Sequence, residues 1–381
     1  MNLIIDTTHG SLLHRIAAKV FGERPSILKL YLATILLTYA PLVVAAALGP
    51  LSLLTRTETV QLPFLLDWNV AFMLIVSLPM LVILTVTDHD VLSHSLERVQ
   101  LDGVVVISKD AAETLSAKWA RRFRSVNYIA TAVGVVTGGM LAVVNYLTYA
   151  PADVRYWISS DGHLLGVGVV LLVCIYLFYM LVPIYVFRSI AVSLLLRDIV
   201  ANSQLRMLPF HPDRCGGLSP IGRLGLRNQY GLTMFGVNIV LLVAISLIYL
   251  RVPSYLYGLI VAAIVAYLLL GPLVFLGPLL PFRAGMLRTK CELMGEVAQR
   301  LRVELQRLRS QLKDGEITKQ DEELIDRLRK VGAVIGELPV WPFDAGTLRK
   351  FLGAYVVPAA SAVLYPLLRS LLDAAAKWLP Q

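Results

Sequence analysis

Apolar and polar positions along this chain separate into long blocks and do not alternate on the short periods that fold a soluble core. Six apolar blocks stand out, at Leu30–Pro50, Trp68–Thr87, Asn127–Ala150, Leu164–Phe187, Leu232–Leu250 and Leu256–Leu280. A helix needs about 20 such residues to cross about 30 Å of hydrocarbon, and in lipid only helices and closed barrels satisfy every backbone N–H and C=O. The pattern predicts an all-α polytopic membrane protein. Its six transmembrane helices, over 30–282, form three hairpins with two large loops at 88–126 and 188–231.

The flanking segments carry other periods. Residues 1–29 include SLLHRIAAKVF, in which Leu12, Leu13, Ile16, Ala17, Val20 and Phe21 share a helical face opposite His14, Arg15 and Lys19, as in an amphipathic helix on a membrane surface. Across 283–351, Leu287, Cys291, Met294, Ala298, Leu301, Leu305, Leu308 and Leu312 keep the alternating spacing of a heptad seam. Asp314-Gly315 breaks it, and Thr318 with Asp321 reads as the capping box of a second helix presenting Leu324, Ile325, Leu328 and Ile335. The expectation is a cytoplasmic helical hairpin. A coiled coil between subunits of a homo-oligomer is the alternative use of the same seam. The last block, 352–381, is apolar but carries Pro358 and Pro366, which predicts a re-entrant or interfacial segment and not a seventh crossing.

Charge gives the blocks a direction. Lys and Arg number 4 before the first block, then 1, 6, 1, 6 and 1 in the successive loops, and 14 between the sixth block and Lys350. Basic loops stay cytoplasmic, so the N-terminus, both large loops and the region after Phe282 are expected inside. The net charge of +9 then faces anionic inner-leaflet lipids and not nucleic acid. In the first large loop, KWARRFR is expected to set Trp119 at the interface with Arg121, Arg122 and Arg124 toward headgroups. Cys174 lies in a span while Cys215 and Cys291 lie outside one, which leaves no disulfide framework.

The apolar cores contain no ionisable residue: Asp67 and Asp88 flank the second block, and Arg188 and Arg283 sit at inner ends. That argues against a carboxylate-driven symporter. Hydroxyls and amides can still line a path, and Asn145, Asn238, Thr137 and Ser246 are the candidates. Gly134 and Gly138 have the spacing of a helix-packing face.

The densest chemistry is HPDRCGGLSP, residues 211–220. Pro212 restricts His211 to extended backbone, Gly216-Gly217 allows positive φ, and Ser219-Pro220 reads as a helix start, so Asp213 is placed to accept hydrogen bonds from the amides of a tight turn. A sharper reading adds DHDVLSH. Asp90 and His94 fall at i and i+4, and with His211, Asp213 and Cys215 they would make a ligand set for a divalent metal, the only cofactor the sequence suggests. No G-x-x-x-x-G-K-[ST], G-x-G-x-x-G, H-E-x-x-H or G-x-S-x-G motif is present, so the chain does not read as a nucleotide-driven pump or a familiar hydrolase.

The run His211-Pro212-Asp213-Arg214-Cys215-Gly216-Gly217-Leu218, together with Leu78-Pro79-Met80-Leu81 and Pro339-Val340-Trp341-Pro342-Phe343, resembles a family of uncharacterised bacterial integral membrane proteins that carry an H-P-D-x-x-G-G-L segment before a transmembrane helix. Ser219-Pro220-Ile221-Gly222 stands where that family continues Gly-Phe-Leu-Gly. The resemblance implies an inner-membrane location and no particular activity. Three functions are therefore carried forward. The first is a channel- or transport-type protein with a cytoplasmic regulatory helical region. The second is a non-transporting sensor or scaffold with a binding site around His211–Gly217, and the third is a metal-assisted inner-leaflet enzyme.

Overall fold

The computed structural model describes residues 7–8, 10–22, 25–48, 62–149, 157–160, 163–208, 211–248, 254–311 and 319–376. It is almost entirely helical: α1 (Leu12–Phe21), α2 (Ile27–Leu48), α3 (Trp68–Phe72), a π-helical turn (Met73–Ser77), α4 (Leu78–Val86), α5 (Asp88–Leu101), α6 (Lys109–Tyr149), α7 (Gly166–Ala201), α8 (Ser219–Ile248), α9 (Ser254–Leu276), α10 (Leu280–Gln311), α11 (Lys319–Gly336) and α12 (Ala345–Ala376). Among the described residues six stretches are long and apolar enough to cross a membrane, and they coincide with the six apolar blocks. The chain is a multi-pass membrane protein by that measure. The spans differ in position: the windows in Trp68–Val86 and α8 are 61% and 56% buried, against 22% for α2, α6 and α9. The former are the centre of the bundle, and the latter turn Leu36, Leu37, Val136 and Leu269 outward, as a lipid-facing surface requires.

Consecutive spans pack on each other, α2 on α4, α6 along α7 and α8 along α9. Gly134 and Gly138 allow the closest of these contacts, because a Cβ at either would meet the α7 carbonyls of Met180 and Tyr176. The π-turn has an equally local cause. Pro79 has no N–H to offer the carbonyl four residues back, and the ladder widens so that the Leu78 N–H bonds to the Met73 carbonyl.

At the end of the bundle that carries the large loops, α6 and α7 continue well past the apolar blocks, and α5 follows α4 almost without interruption. Most of the first loop is therefore helix. Two-residue strands β1 (Val105–Val106) and β4 (Gln204–Leu205) pair antiparallel and tie the two loops together, while β2 (Ser159–Ser160) and β3 (His163–Leu164) pair at the far end. Trp119 does not sit at an interface as expected from the sequence. It is 2% exposed in a core with Phe123, Leu195, Leu196 and Phe282, and its Nε1 donates to Asp198 Oδ2 at 3.1 Å. Of α1, Leu13, Ala17 and Phe21 pack against Leu30, Ile83 and Val86, while Leu12, Ile16 and Val20 stay exposed one turn apart.

α11 lies antiparallel on α10. Lys290 Nζ donates to the Gly336 and Leu338 carbonyls at 2.6 and 2.9 Å, and Val297 faces Gly332. The contact uses Leu293 and Val297, and the heptad seam is only partly covered: Leu308 is buried, while Leu287, Met294 and Leu305 remain 38%, 40% and 49% exposed. Asp314-Gly315 and Thr318 lie outside the described residues.

The C-terminal segment departs from expectation. α12 runs through Pro358 and Pro366 as one helix, packed lengthwise on α8 and α9. It parallels α8: Pro342 and Phe343 abut Gly222, and seventeen residues on, about 25 Å, Ala359 joins the cluster of Ile239. It is therefore neither broken nor laid across the base of the bundle. Two prolines, Pro272 of α9 and Pro358 of α12, are tolerated because tyrosines replace the missing donors. Pro272 in α9 frees the Leu268 carbonyl, to which Tyr355 Oη donates at 2.7 Å. Pro358 in α12 frees the Ala354 carbonyl, and Tyr267 Oη donates to Ala354 and Tyr355 at 3.4 and 3.3 Å. Gly271 and Gly236 have no side chain where the rings of Tyr355 and Tyr267 lie.

Candidate functional site

The 211–217 stretch folds as a turn around one carboxylate. Asp213 Oδ1 accepts from the N–H groups of Cys215 and Gly217 at 2.9 and 3.1 Å, Oδ2 accepts from Ser219 at 3.0 Å, and His211 Nδ1 lies 2.7 Å from Oδ1. Three residues in this turn have left-handed φ: Arg214 at 54°, Gly216 at 66° and Gly217 at 90°. Burial alone would raise the Asp213 carboxyl, but the three amides and His211 outweigh it and hold the group below its ordinary value. Asp213 thereby sets the start of α8. The run Pro339–Phe343 lies against the helix that this turn starts, since Gly222, one turn into α8, packs on Pro342 and Phe343, and Arg283 stacks over Trp341 at 4.2 Å.

Above the turn, α5 and α8 enclose a cleft of about 870 Å³. Asp90, His94, His211 and Asp213 all line it, together with Arg98, Asp102, Arg223 and Arg227. Proximity does not make the expected metal centre. Among the described residues no three His, Cys, Asp or Glu side chains are grouped to hold an ion. Both Asp213 oxygens are occupied by amides, His211 Nε2 points to Asp102 Oδ2 at 4.0 Å, and Cys215 is 1% exposed with its thiol pushed up to about 12 by burial and by Asp213 and Asp344. A protonated, enclosed thiol is no ligand. The set Asp90, His94, His211, Asp213 and Cys215 is therefore corrected to a cleft with mixed charge.

Beneath that cleft lies a buried ion network whose members the sequence showed only as span-flanking residues. Arg188 Nη2 meets Asp88 Oδ2 at 3.1 Å, and Nη1 donates to Asn127 Oδ1 at 3.1 Å and to the Thr7 carbonyl at 3.3 Å. Arg227 reaches Asp88 Oδ1 at 3.5 Å, the Leu84 carbonyl at 2.9 Å and Thr87 Oγ1 at 2.7 Å. The network joins α4, α5, α6, α7 and α8 at one level. The i, i+4 logic that linked Asp90 to His94 does not reach it, because its partners are 61 to 181 residues apart.

Deeper in the bundle, Asn145 and Asn238 come together as the sequence paired them. With Asn69, Thr137, Thr148 and Tyr179 they line a cavity of about 260 Å³ whose remaining wall is apolar, and none of its lining residues is an acid, a base or a histidine. Three of the donor residues there spend their hydrogens locally: Thr137 Oγ1 donates to Val133, Asn145 Nδ2 to Leu141, and Asn238 Nδ2 to Met234 and to Ser77 Oγ in the π-turn. Of the acceptors, Asn69 Oδ1 and Asn238 Oδ1 are buried without a hydrogen-bond partner. No family model, curated protein or solved structure matches this chain, so the cavity and cleft stand on their own geometry.

Proposed function

We propose that the chain is a channel- or transport-type integral membrane protein, and that the cavity among α3, α6, α7, α8 and α9 is its solute site. The observation that carries this is the pair of unpartnered carbonyl oxygens of Asn69 and Asn238 in a wall that is mostly apolar. A buried acceptor without a donor is costly, and a solute or water that donates hydrogen bonds removes the cost. The solute class follows. It is uncharged, because no lining group balances a charge, and it is a hydrogen-bond donor. It is also small, because 260 Å³ falls just below the roughly 300–1,000 Å³ of ordinary ligand pockets. The basic loops set the N-terminus and the 211–217 turn on the cytoplasmic side of a bacterial inner membrane.

Purified protein in liposomes tests this by stopped-flow light scattering with urea, glycerol and ammonia, beside potassium and chloride flux. The expected result is flux of one or more neutral donors above protein-free liposomes, reduced roughly tenfold or more when Asn238→Leu removes one acceptor. Ion flux without neutral flux, or equal flux in Asn238→Leu, overturns the assignment. A second reading, a sensor, is favoured by the cleft between α5 and α8, where Arg98 and Arg223 stand beside His94 and His211. It predicts a thermal shift with an anionic solute that is lost in Arg98→Gln and Arg223→Gln, and no solute flux.

A further inference from the structure

A further cavity, of about 1110 Å³, belongs to neither site above. It opens where the loop end of α7 faces the junction of α9 and α10. One part of its wall is apolar and continuous with the membrane-spanning surface: Ile190 and Leu194 of α7 are 36% and 46% exposed, and Leu273 and Leu280 opposite them are 52% and 48% exposed. The other part is basic. Arg197, Arg206 and Arg288 line it, all exposed, and among the described residues none is paired with a carboxylate. Glu292 is the one acid in the lining, so three positive and one negative side chain leave the wall at +2. Ser203 Oγ, also in the wall, is buried without a partner. Ala284, small and exposed, lies in the lining between the two parts.

Charge without apolar surface would suit a free anion, and apolar surface without charge would suit any lipid tail. Here the two are stacked in the order a phospholipid presents them, with the apolar wall on the spanning helices and the guanidinium groups at the level of the basic loops. Arginine matches a phosphate because its planar fork donates two parallel hydrogen bonds to the oxygens. Basic pockets between helices on the cytoplasmic side are where anionic headgroups settle. We infer that this cleft is a binding site for a single anionic phospholipid, with its phosphate held by Arg197, Arg206 and Arg288 and the start of an acyl chain lying on Ile190, Leu194, Leu273 and Leu280.

The test is native mass spectrometry of the full chain released from nanodiscs of phosphatidylcholine containing a minority of phosphatidylglycerol. Wild-type protein is expected to retain one phosphatidylglycerol in preference to phosphatidylcholine, and inorganic phosphate in excess is expected not to displace it. The triple variant Arg197→Gln, Arg206→Gln, Arg288→Gln is expected to lose that retention by roughly a hundredfold, at about fivefold per arginine. Ala284→Trp, which fills the cleft and leaves every charge in place, is expected to lose it too, with an unchanged thermal midpoint showing that the fold survives. Equal retention of the two lipids, or retention in either variant, overturns the inference. Displacement by inorganic phosphate overturns the lipid as occupant and makes the site one for a soluble anion.

Discussion

The reciprocal tyrosines of α9 and α12 allow a sharp test of why the C-terminal helix survives its prolines. Tyr355→Phe removes the hydroxyl that donates to the Leu268 carbonyl and keeps the ring, which stacks on Phe351 with centroids 5.7 Å apart and planes within 5°. A hydrogen bond of this kind contributes about 1 kcal/mol, and a buried carbonyl left unpaired costs about 1–3 kcal/mol. Interhelical bonds measured in bilayers average about 0.6 kcal/mol with a maximum near 1.7. The 2.7 Å separation lies in the optimal range for an O–H donor, so a loss of about 1–2 kcal/mol is expected. The equivalent change at Tyr267, whose contacts are 3.3 and 3.4 Å, should cost less, about 0.5 kcal/mol. The decisive measurement is a double-mutant cycle by reversible unfolding in mixed micelles. In a Pro272→Ala background the backbone N–H returns and bonds the Leu268 carbonyl itself, so Tyr355→Phe should cost almost nothing there. An equal cost in both backgrounds would refute the idea that the hydroxyl substitutes for the missing donor.

Three further outcomes follow from geometry already described. Asp88→Ala leaves Arg188, whose side chain is 4% exposed, without its anion, and should cost about 3–5 kcal/mol in the same unfolding assay; a loss below 1 kcal/mol would show the network to be wet. Maleimide labelling of the native protein near neutral pH should modify exposed Cys291 and spare buried Cys174 and Cys215, and stoichiometric labelling of Cys215 would contradict the closed turn. Asp213 has a folded-state value below its unfolded one of about 3.9. Its contribution to stability is therefore complete above that pH and disappears as pH falls through the lower folded value. Asp213→Asn should flatten this part of the thermal midpoint's pH profile, and an unchanged profile would exclude the carboxylate as its source.

The spans were legible because hydropathy is a property of contiguous residues, and nothing in the fold competes with it. Helix ends were not: Lys109–Asn127 is polar enough to read as loop, yet Trp119, Phe123 and Ala112 give it a buried stripe that carries α6 far beyond the lipid. The heptad spacing of α10 was plain, but its partner packs on the neighbouring stripe of Leu293 and Val297, a choice made by where α11 returns and not by the spacing. Asp213's role as acceptor for its turn could be read from its neighbours, since glycines and a helix start follow within six residues. The Asp88 network could not, because each member looks alone like a charge at a span's edge and only three-dimensional proximity pairs them. The continuity of α12 through Pro358 was hidden for a related reason, since the tyrosine that mends the break at Pro272 or Pro358 belongs in each case to the other helix.

The π-turn at Met73–Ser77 has a mechanical consequence. A turn that holds one extra residue is a joint, and Pro79 keeps it from being ironed out, because the donor needed to rebuild the regular ladder does not exist. Below the joint, α4 is bedded in the core of the bundle; above it stands α3, a short lever carrying Asn69. Ser77, in the joint itself, is held by Asn238. Bending there moves one carbonyl of the cavity relative to the other, so the two acceptors need not be within reach of the same solute at every moment. The second span is in that sense an elbow whose angle sets the distance between the Asn69 and Asn238 oxygens.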